Sequence, residues 1–294
     1  MLYVVATPIG NLDDITLRAL KTLENADLIA AEDTRHTMGL LSHFGIRKPL
    51  VSYYEHNKAE RGPELIEKLR GGAEIALVSD AGLPGICDPG YELIKECIDN
   101  GIEVTVVPGA CACVTALVLS GLPSSGFVFE GFAGRDKKSR AEFCGRVLNC
   151  KTTCVCYEAP HRLTKTLEAL KETFDNAGTP DRQMAVIREL TKTHEEVLRG
   201  NAATLLDHFN AEPPRGEFVI CIEGASGDPA PAGGSAACPE NTSDPEGTKE
   251  NIKKVYNEII AGGTVPKEAL KTVAVRFGIA RNEAYKIIHG EGRS

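Results

Sequence analysis

Short apolar stretches that run straight into loops of small or charged residues set the architecture open to this chain. LYVVA at 2–6, DLIAAED at 27–33, EIALVSD around 74–80 and IEVTVVPG around 102–109 are such stretches, with helical patterns between them. LYVVA shows no polar alternation, and strands of that kind belong to parallel sheets covered on both faces. A βα alternation sustained over about 120 residues predicts a parallel, doubly wound sheet. The loop that matters most is in Leu77 to Gly90, LVSDAGLPGICDPG, where the strand stops at Asp80 and three glycines and two prolines precede a helix at Tyr91. Glycine lets a ligand approach the backbone closely, and proline fixes the loop's shape in advance. The plain alternative is an ordinary strand-to-helix connection. Thr7 to Leu12 is a second loop of the same kind, and a third strand end carries the polar cluster Glu32, Asp33, Thr34, Arg35 and His36. Open α/β sheets hold ligands at such strand ends.

The 294 residues are 42% hydrophobic and 25% charged, which fits a globular protein of about two domains. The formal net charge of -8 argues against a protein that coats nucleic acid, so a polyanionic partner must meet a local basic patch. Ten cysteines suggest a disulfide framework, yet Cys111, Cys113, Cys154, Cys156 and Cys221 lie among small or apolar neighbours. Cys154 and Cys156 share one face of a strand, but no C-x-x-C pair or histidine cluster completes a metal site, and none is read. Reduced, buried thiols in a cytoplasmic protein are expected instead. No window approaches 18 apolar residues, and MLYVVATPIG lacks a basic leader, so neither membrane span nor signal peptide is expected.

Beyond residue 120 the pattern changes. LPSSGFVFEGFAGR leads into a second α/β unit of strands FVFEGF, TTCVCYE, QMAVIREL, EEVLRG and EFVICIEG, read as a mixed sheet. The expected organisation is an N-terminal α/β domain at 1–120, a second at 121–224, a flexible linker at 225–247 and a small helical domain at 248–294. In that last segment three amphipathic patterns, with a turn at Gly278, have the layout of a helix-turn-helix unit. Glu246 to Ser294 holds nine Lys or Arg against six acids, so the tail is basic within an acidic chain. A small bundle that merely packs is the competing reading. The dinucleotide fingerprint G-x-G-x-x-G does not follow the first strand, and no P-loop occurs, which disfavours both nucleotide readings.

ATPIGNLDDITLRAL, AEDTR, VSDAGLPGICDPG, PGACA, YEAPHRL, RELTKTHEEVLRG and PRGEFVICIEG occur in that order between residues 1 and 224. Together they resemble the tetrapyrrole methylase superfamily, and most closely its ribosomal branch, the 16S ribosomal RNA (cytidine-2'-O)-methyltransferases. The resemblance implies a homodimeric enzyme that binds S-adenosyl-L-methionine in a cleft between two α/β domains and methylates rRNA of the 30S subunit. Carried over by motif, it implies cofactor contacts at Pro8, Gly10, Asp80, Ala81, Gly82, Ile86, Cys111, Ala112 and Tyr157 or Glu158. Where this chain has Ala6 to Gly10 and Ser79 to Leu83, other branches carry Gly-x-Gly-Pro-Gly and Gly-Gly-Asp-Pro, which shifts individual contacts by about a residue.

A ribose hydroxyl becomes a good nucleophile only as its proton leaves, so a general base and a nearby cation are sought on the cleft loops. Glu158, His161 and Arg188 are the chosen catalytic candidates, from a wider set that includes Glu32, Asp33 and Glu189. The alternatives are an ion pair with Arg162 or a cofactor contact for Glu158, and pairing with Glu189 and Glu217 for Arg188 and Arg215. Phosphate contacts are assigned to Arg35, Arg135, Lys137, Lys138, Arg140, Arg162 and Arg215, although a solvated helix face also explains GRDKKSRAEFCGR. Two further readings stay open. One is a methyltransferase of the same superfamily acting on a small tetrapyrrole or a protein side chain. The other is a DNA-binding regulator whose α/β body senses a ligand.

Overall fold

The computed structural model describes residues 1–225 and, further on, 252, 253, 255–257, 259, 260, 265, 266, 269, 270, 272, 273 and 281–289. They fall into two compact units, one within 1–232 and one within 233–294. The first holds two five-stranded sheets. Strands β1 (Leu2–Val5), β2 (Leu28–Ala31), β3 (Leu50–Ser52), β4 (Ile75–Val78) and β5 (Val104–Val107) form a wholly parallel sheet in the order β3-β2-β4-β1-β5. The expected doubly wound sheet is therefore present. Its two faces are packed separately: Leu2, Val4, Leu65, Leu77 and Leu93 on one side, Val5, Ala19, Leu23, Ile29 and Val78 on the other. Burial on both sides is why β1, β2 and β4 read as unbroken apolar runs.

Strands β6 (Phe127–Phe132), β7 (Thr153–Glu158), β8 (Met184–Arg188), β9 (Glu196–Gly200) and β10 (Phe218–Ile222) form the second sheet, ordered β6-β7-β10-β8-β9. Only β6 and β7 run parallel, the other pairs being antiparallel. The mixed sheet is as expected.

Connecting helices in the first half are α1 (Leu17–Asn25), α2 (Thr34–His43), α3 (Lys58–Arg70), α4 (Tyr91–Asp99) and α5 (Ala112–Ser120). The second half has α6 (Lys137–Asn149), α7 (Pro160–Asn176) and α8 (Ala202–Ala211). Two of these, α2 and α8, lie outside the sequence reading. The supposed loop cluster at 32–36 is a helix start: Asp33 caps α2 by accepting from the Arg35 amide at 2.8 Å. Helix α6 opens on a capping box between Asp136 and Ser139, and α7 on Pro160, whose missing amide proton leaves nothing unsatisfied at a first turn.

Helix α5 belongs to the first half by sequence but packs on the second sheet. Cys113, Ala116 and Leu117 are buried against Val155, Ala185, Ile187, Val219 and Cys221. A second junction lies at Gly10. A Cβ there would sit 2.5 Å from Lys192 Cγ, 2.7 Å from Thr191 Oγ1 and 2.9 Å from the Leu190 carbonyl oxygen, so the first loop touches the 190–192 loop with no room for a side chain. Gly10→Ala is expected to destabilise the protein by about 1–3 kcal/mol, the usual range for overpacking. Urea unfolding checks this, a lowered midpoint at constant slope being the expected result.

In the second unit the described residues outside 265 are helical, including Arg281–His289, and Ile252, Val255, Ala269, Leu270, Val273 and Ala284 are buried together. The linker expected at 225–247 lies outside the described residues except for Ala225, and so does the turn at Gly278.

Candidate active site

The loops after β1 and β4 are joined by a two-way backbone bridge. Thr7 N donates to Gly82 O at 2.9 Å, Gly82 N donates to Thr7 O at 3.1 Å, and Thr7 Oγ1 donates to Ser79 O at 3.1 Å. Gly82, Gly85, Cys87 and Gly90 all have positive φ, which turns the second loop back on itself. Only Cys87 among them carries a side chain, a conformation that L residues adopt at some strain. The folded loop forms one wall of a cavity of about 360 Å³. Ile9, Cys111 and Ala112 add to that wall, and the second half supplies Phe132, Tyr157, Glu158, Leu190, Glu217 and Val219. This size suits a small-molecule ligand.

Of the sequence-derived cofactor residues, Ala81, Gly82, Ile86, Cys111, Ala112, Tyr157 and Glu158 line the cavity. Pro8, Gly10 and Asp80 do not. Pro8 is buried next to the lining residue Ile9, Gly10 is the close contact described above, and Asp80 accepts the Asp33 amide at 3.0 Å. The sequence reading passed over Cys87, Asp88 and Glu217. Asp88 had a legible signal, the carboxylate of an Asp-Pro-Gly turn ending the loop on which the reading was centred.

Glu158 is only 2% exposed, and three donors meet its carboxylate: the Ala159 amide at 2.8 Å, Arg162 Nε at 2.7 Å and Thr166 Oγ1 at 2.6 Å. Arg162 also lies over the Phe132 ring, 5.7 Å from its centroid, so its guanidinium is engaged on two sides. His161 is exposed at the start of α7 and does not line the cavity. Arg188 is likewise outside the lining, donating to the Arg215 carbonyl at 2.8 Å and pairing with Glu196 at 3.5 Å.

Among the phosphate candidates, Arg135, Lys137, Lys138 and Arg215 are exposed, and Arg35 is exposed while paired with Asp33 at 2.8 Å. Arg140 is a correction. It is 9% exposed, because the capping box starts α6 so that position 140 turns inward with Phe143, Cys144 and Val147. Charge count along the segment could not distinguish it from its outward-facing neighbours.

Asp88 and Glu217 give the cavity two carboxylates, that of Glu158 being taken up by Arg162, Thr166 and the Ala159 amide, and no Lys, Arg or His lines it among the described residues. Burial, reinforced by the nearby Glu32 and Asp80 charges and opposed by a hydrogen bond from Ser79, pushes Asp88 up to about 6. Glu32 is also raised, chiefly by burial. The sign follows directly. The folded state favours protonated Asp88, so its ionisation subtracts stability as pH rises from the ordinary carboxylate range through about 6. Asp88→Asn is expected to be more stable than the parent at pH 8 and to match it at pH 4, as melting curves across that range will test.

A mostly apolar lining with two carboxylates and no cation suits a positively charged ligand better than a phosphate-bearing one. Residues 1–206 match the family of Tetrapyrrole (Corrin/Porphyrin) Methylases. The chain belongs to that family. Two relatives extend the likeness beyond the matched domain, and both are named Ribosomal RNA small subunit methyltransferase I. The protein of Halalkalibacterium halodurans is 45% identical over 99% of this chain and 95% of its own length. That of Synechocystis sp. is 43% identical over 98% and 96% respectively. Among solved structures, a uroporphyrin-III C-methyltransferase from Thermus thermophilus, complexed with S-adenyl homocysteine, superposes with a TM-score of 0.51. It is 19% identical, covering 75% of this chain and 96% of the other, and it shares the methylase fold of two α/β sheets. No helix among the described residues is long and apolar enough to cross a membrane.

Proposed function

We propose that this chain is an S-adenosyl-L-methionine-dependent methyltransferase that methylates a cytidine ribose 2'-oxygen in 16S rRNA of the small ribosomal subunit. The observation that carries the reading is near full-length identity of 45% to a relative named for small-subunit rRNA, joined to a cavity fit for a cationic methyl donor. Bound there, the cofactor would supply an electrophilic methyl group on a sulfonium. Ala81, Gly82 and Ala112 leave their backbones open to a ligand, and Ile9, Leu83, Leu190 and Val219 exclude water from it. The carboxylates of Asp88 and Glu217 favour positive charge.

Three donors already engage Glu158, so its first task is to fix Arg162 and the start of α7 rather than to accept a proton. Asp88, raised towards neutrality on the cavity wall, is the better placed acceptor for the hydroxyl proton. His161 and Arg188, outside the lining, are assigned to the RNA side. Exposed Arg135, Lys137, Lys138 and Arg215, with Arg35, offer phosphate contacts, and the basic C-terminal segment adds charge of the same sign.

A homodimer is part of the proposal. Helix α5 is apolar on every face, yet Val114 and Val118 are exposed, as is Val106 of the adjoining edge strand β5. A helix apolar all round is normally covered on all sides, and a second copy would cover it. The described cysteines are all free, in keeping with a cytoplasmic protein.

The test uses tritiated S-adenosyl-L-methionine and 30S particles from cells lacking the gene, followed by nucleoside mapping. Label on a 2'-O-methylcytidine is the expected result. Label on a base, on a tetrapyrrole or on protein contradicts the reading, and so does none on rRNA.

A further inference from the structure

Cys111 and Cys113 form a thiol pair at the cavity, with their sulfurs 3.5 Å apart. Cys111 is half-buried, lines the cavity and occupies the position before the first residue of α5 in extended backbone, φ -146° and ψ 108°. Cys113 is the second residue of α5 and is buried on the second sheet. The methyl-transfer chemistry uses neither sulfur. Helix N-termini stabilise a thiolate through the dipole and the unpaired amides.

We propose that Cys111 and Cys113 are a peroxide-reactive dithiol whose oxidation to a disulfide closes the cavity. The hydrogen bond shared with Cys113 is the largest influence that brings Cys111 down to about 6, and burial raises it only in part against this. The same contact and burial keep Cys113 protonated. In the first step the Cys111 thiolate attacks one oxygen of hydrogen peroxide. The O–O bond breaks and hydroxide leaves, taking up a proton to become water, while Cys111 becomes a sulfenic acid. Cys113 sulfur then attacks the Cys111 sulfur. The S–O bond breaks, the S–S bond forms, and a second water departs with the Cys113 proton. Two sulfurs lose two electrons in all, and one peroxide becomes two waters. Bonding draws the sulfurs from 3.5 Å to about 2.05 Å. The Cys111 side chain is thereby pulled out of the wall, and the first turn of α5, which carries the lining residue Ala112, shifts with it.

Cys87 is an internal comparison. It lines the same cavity and is exposed, but burial of its thiol, with Asp88 beside it, pushes it above its ordinary value. Cys150 is the second comparison: its thiol is lowered and has the Cys154 thiol as a neighbour, yet it lies outside the lining, 3.5 Å from Thr152 Oγ1. Accessibility alone selects Cys87, whereas thiolate character, an adjacent thiol and a place in the cavity wall together select Cys111.

The closing of the cavity rests on its reading as the cofactor site, and the experiment separates the two. Reduced full-length protein is treated with one equivalent of hydrogen peroxide and digested without reductant for mass spectrometry. S-adenosyl-L-homocysteine binding is measured by calorimetry before and after, and again after dithiothreitol. The expected result is a Cys111–Cys113 link formed ahead of any change at Cys87 or Cys150, with ligand affinity at least tenfold weaker and restored by reductant. Cys113→Ser should stop at a Cys111 sulfenic acid that dimedone traps. Oxidation of Cys87 or Cys150 first, or a link that leaves affinity unchanged, overturns the proposal. Failure of the reduced protein to bind the ligand refutes the cofactor reading, and the closure falls with it.

Discussion

Glu158→Ala is expected to lower stability by about 3–5 kcal/mol, the range for breaking a buried ion pair by removing one partner. The carboxylate side chain is fully buried and the Arg162 side chain is 16% exposed, so deletion leaves a mostly buried guanidinium, a backbone amide at the start of α7 and the Thr166 hydroxyl without their acceptor. For a unit of this size the loss corresponds to roughly 10 °C in melting temperature. Thr166→Val, which removes one hydrogen bond to that carboxylate and leaves the ion pair, should lower it less, by about 1.5–3 kcal/mol. If Glu158 were a free base with only incidental contacts, alanine would reduce turnover with little change in melting. Differential scanning calorimetry decides between them, and an unchanged transition rejects the structural role.

Ala81→Trp has the other large effect, on binding rather than folding. Ala81 is exposed on the cavity wall, so an indole placed there occupies ligand space without entering a packed core. Affinity for S-adenosyl-L-homocysteine is expected to fall at least 100-fold, about 2.7 kcal/mol. The melting temperature should stay within about 1 °C, as is usual for surface changes. Retention of affinity in calorimetry would remove the loop from the ligand site. Gly82 is less suitable for this purpose, because its φ of 84° strains any substitution whatever the cavity holds.

Which parts of the molecule were legible in the sequence follows from how each signal arises. Ile75–Val78 is read correctly because burial on both faces of a parallel sheet leaves no position for a polar residue. Helix α2 is missed because its first turn, Thr34 to Thr37, is polar, and its cap, Asp33, looks the same in sequence as a loop carboxylate. Seven of the ten positions expected to contact a cofactor line the cavity, since small residues in strand-end loops are a local signal. Gly10 is small for another reason, contact with the 190–192 loop some 180 residues away, and a long-range contact leaves no trace in local pattern. Arg140 fails likewise: helical phase relative to a neighbouring sheet decides which of five nearby cations turns inward. The partners of Glu158 are nearly all local, at 159, 162 and 166, so its pairing with Arg162 was foreseeable from spacing alone.

Helix α5 is lodged on strands that are encoded well after it. As the chain leaves the ribosome, Cys113, Ala116 and Leu117 emerge about a hundred residues before β10, the last strand they are buried against, is complete. At common synthesis rates that interval lasts roughly 5–20 s. Throughout it, a helix apolar on all sides has no sheet to cover it, and this window is when a nascent chain most needs a chaperone or a dilute environment.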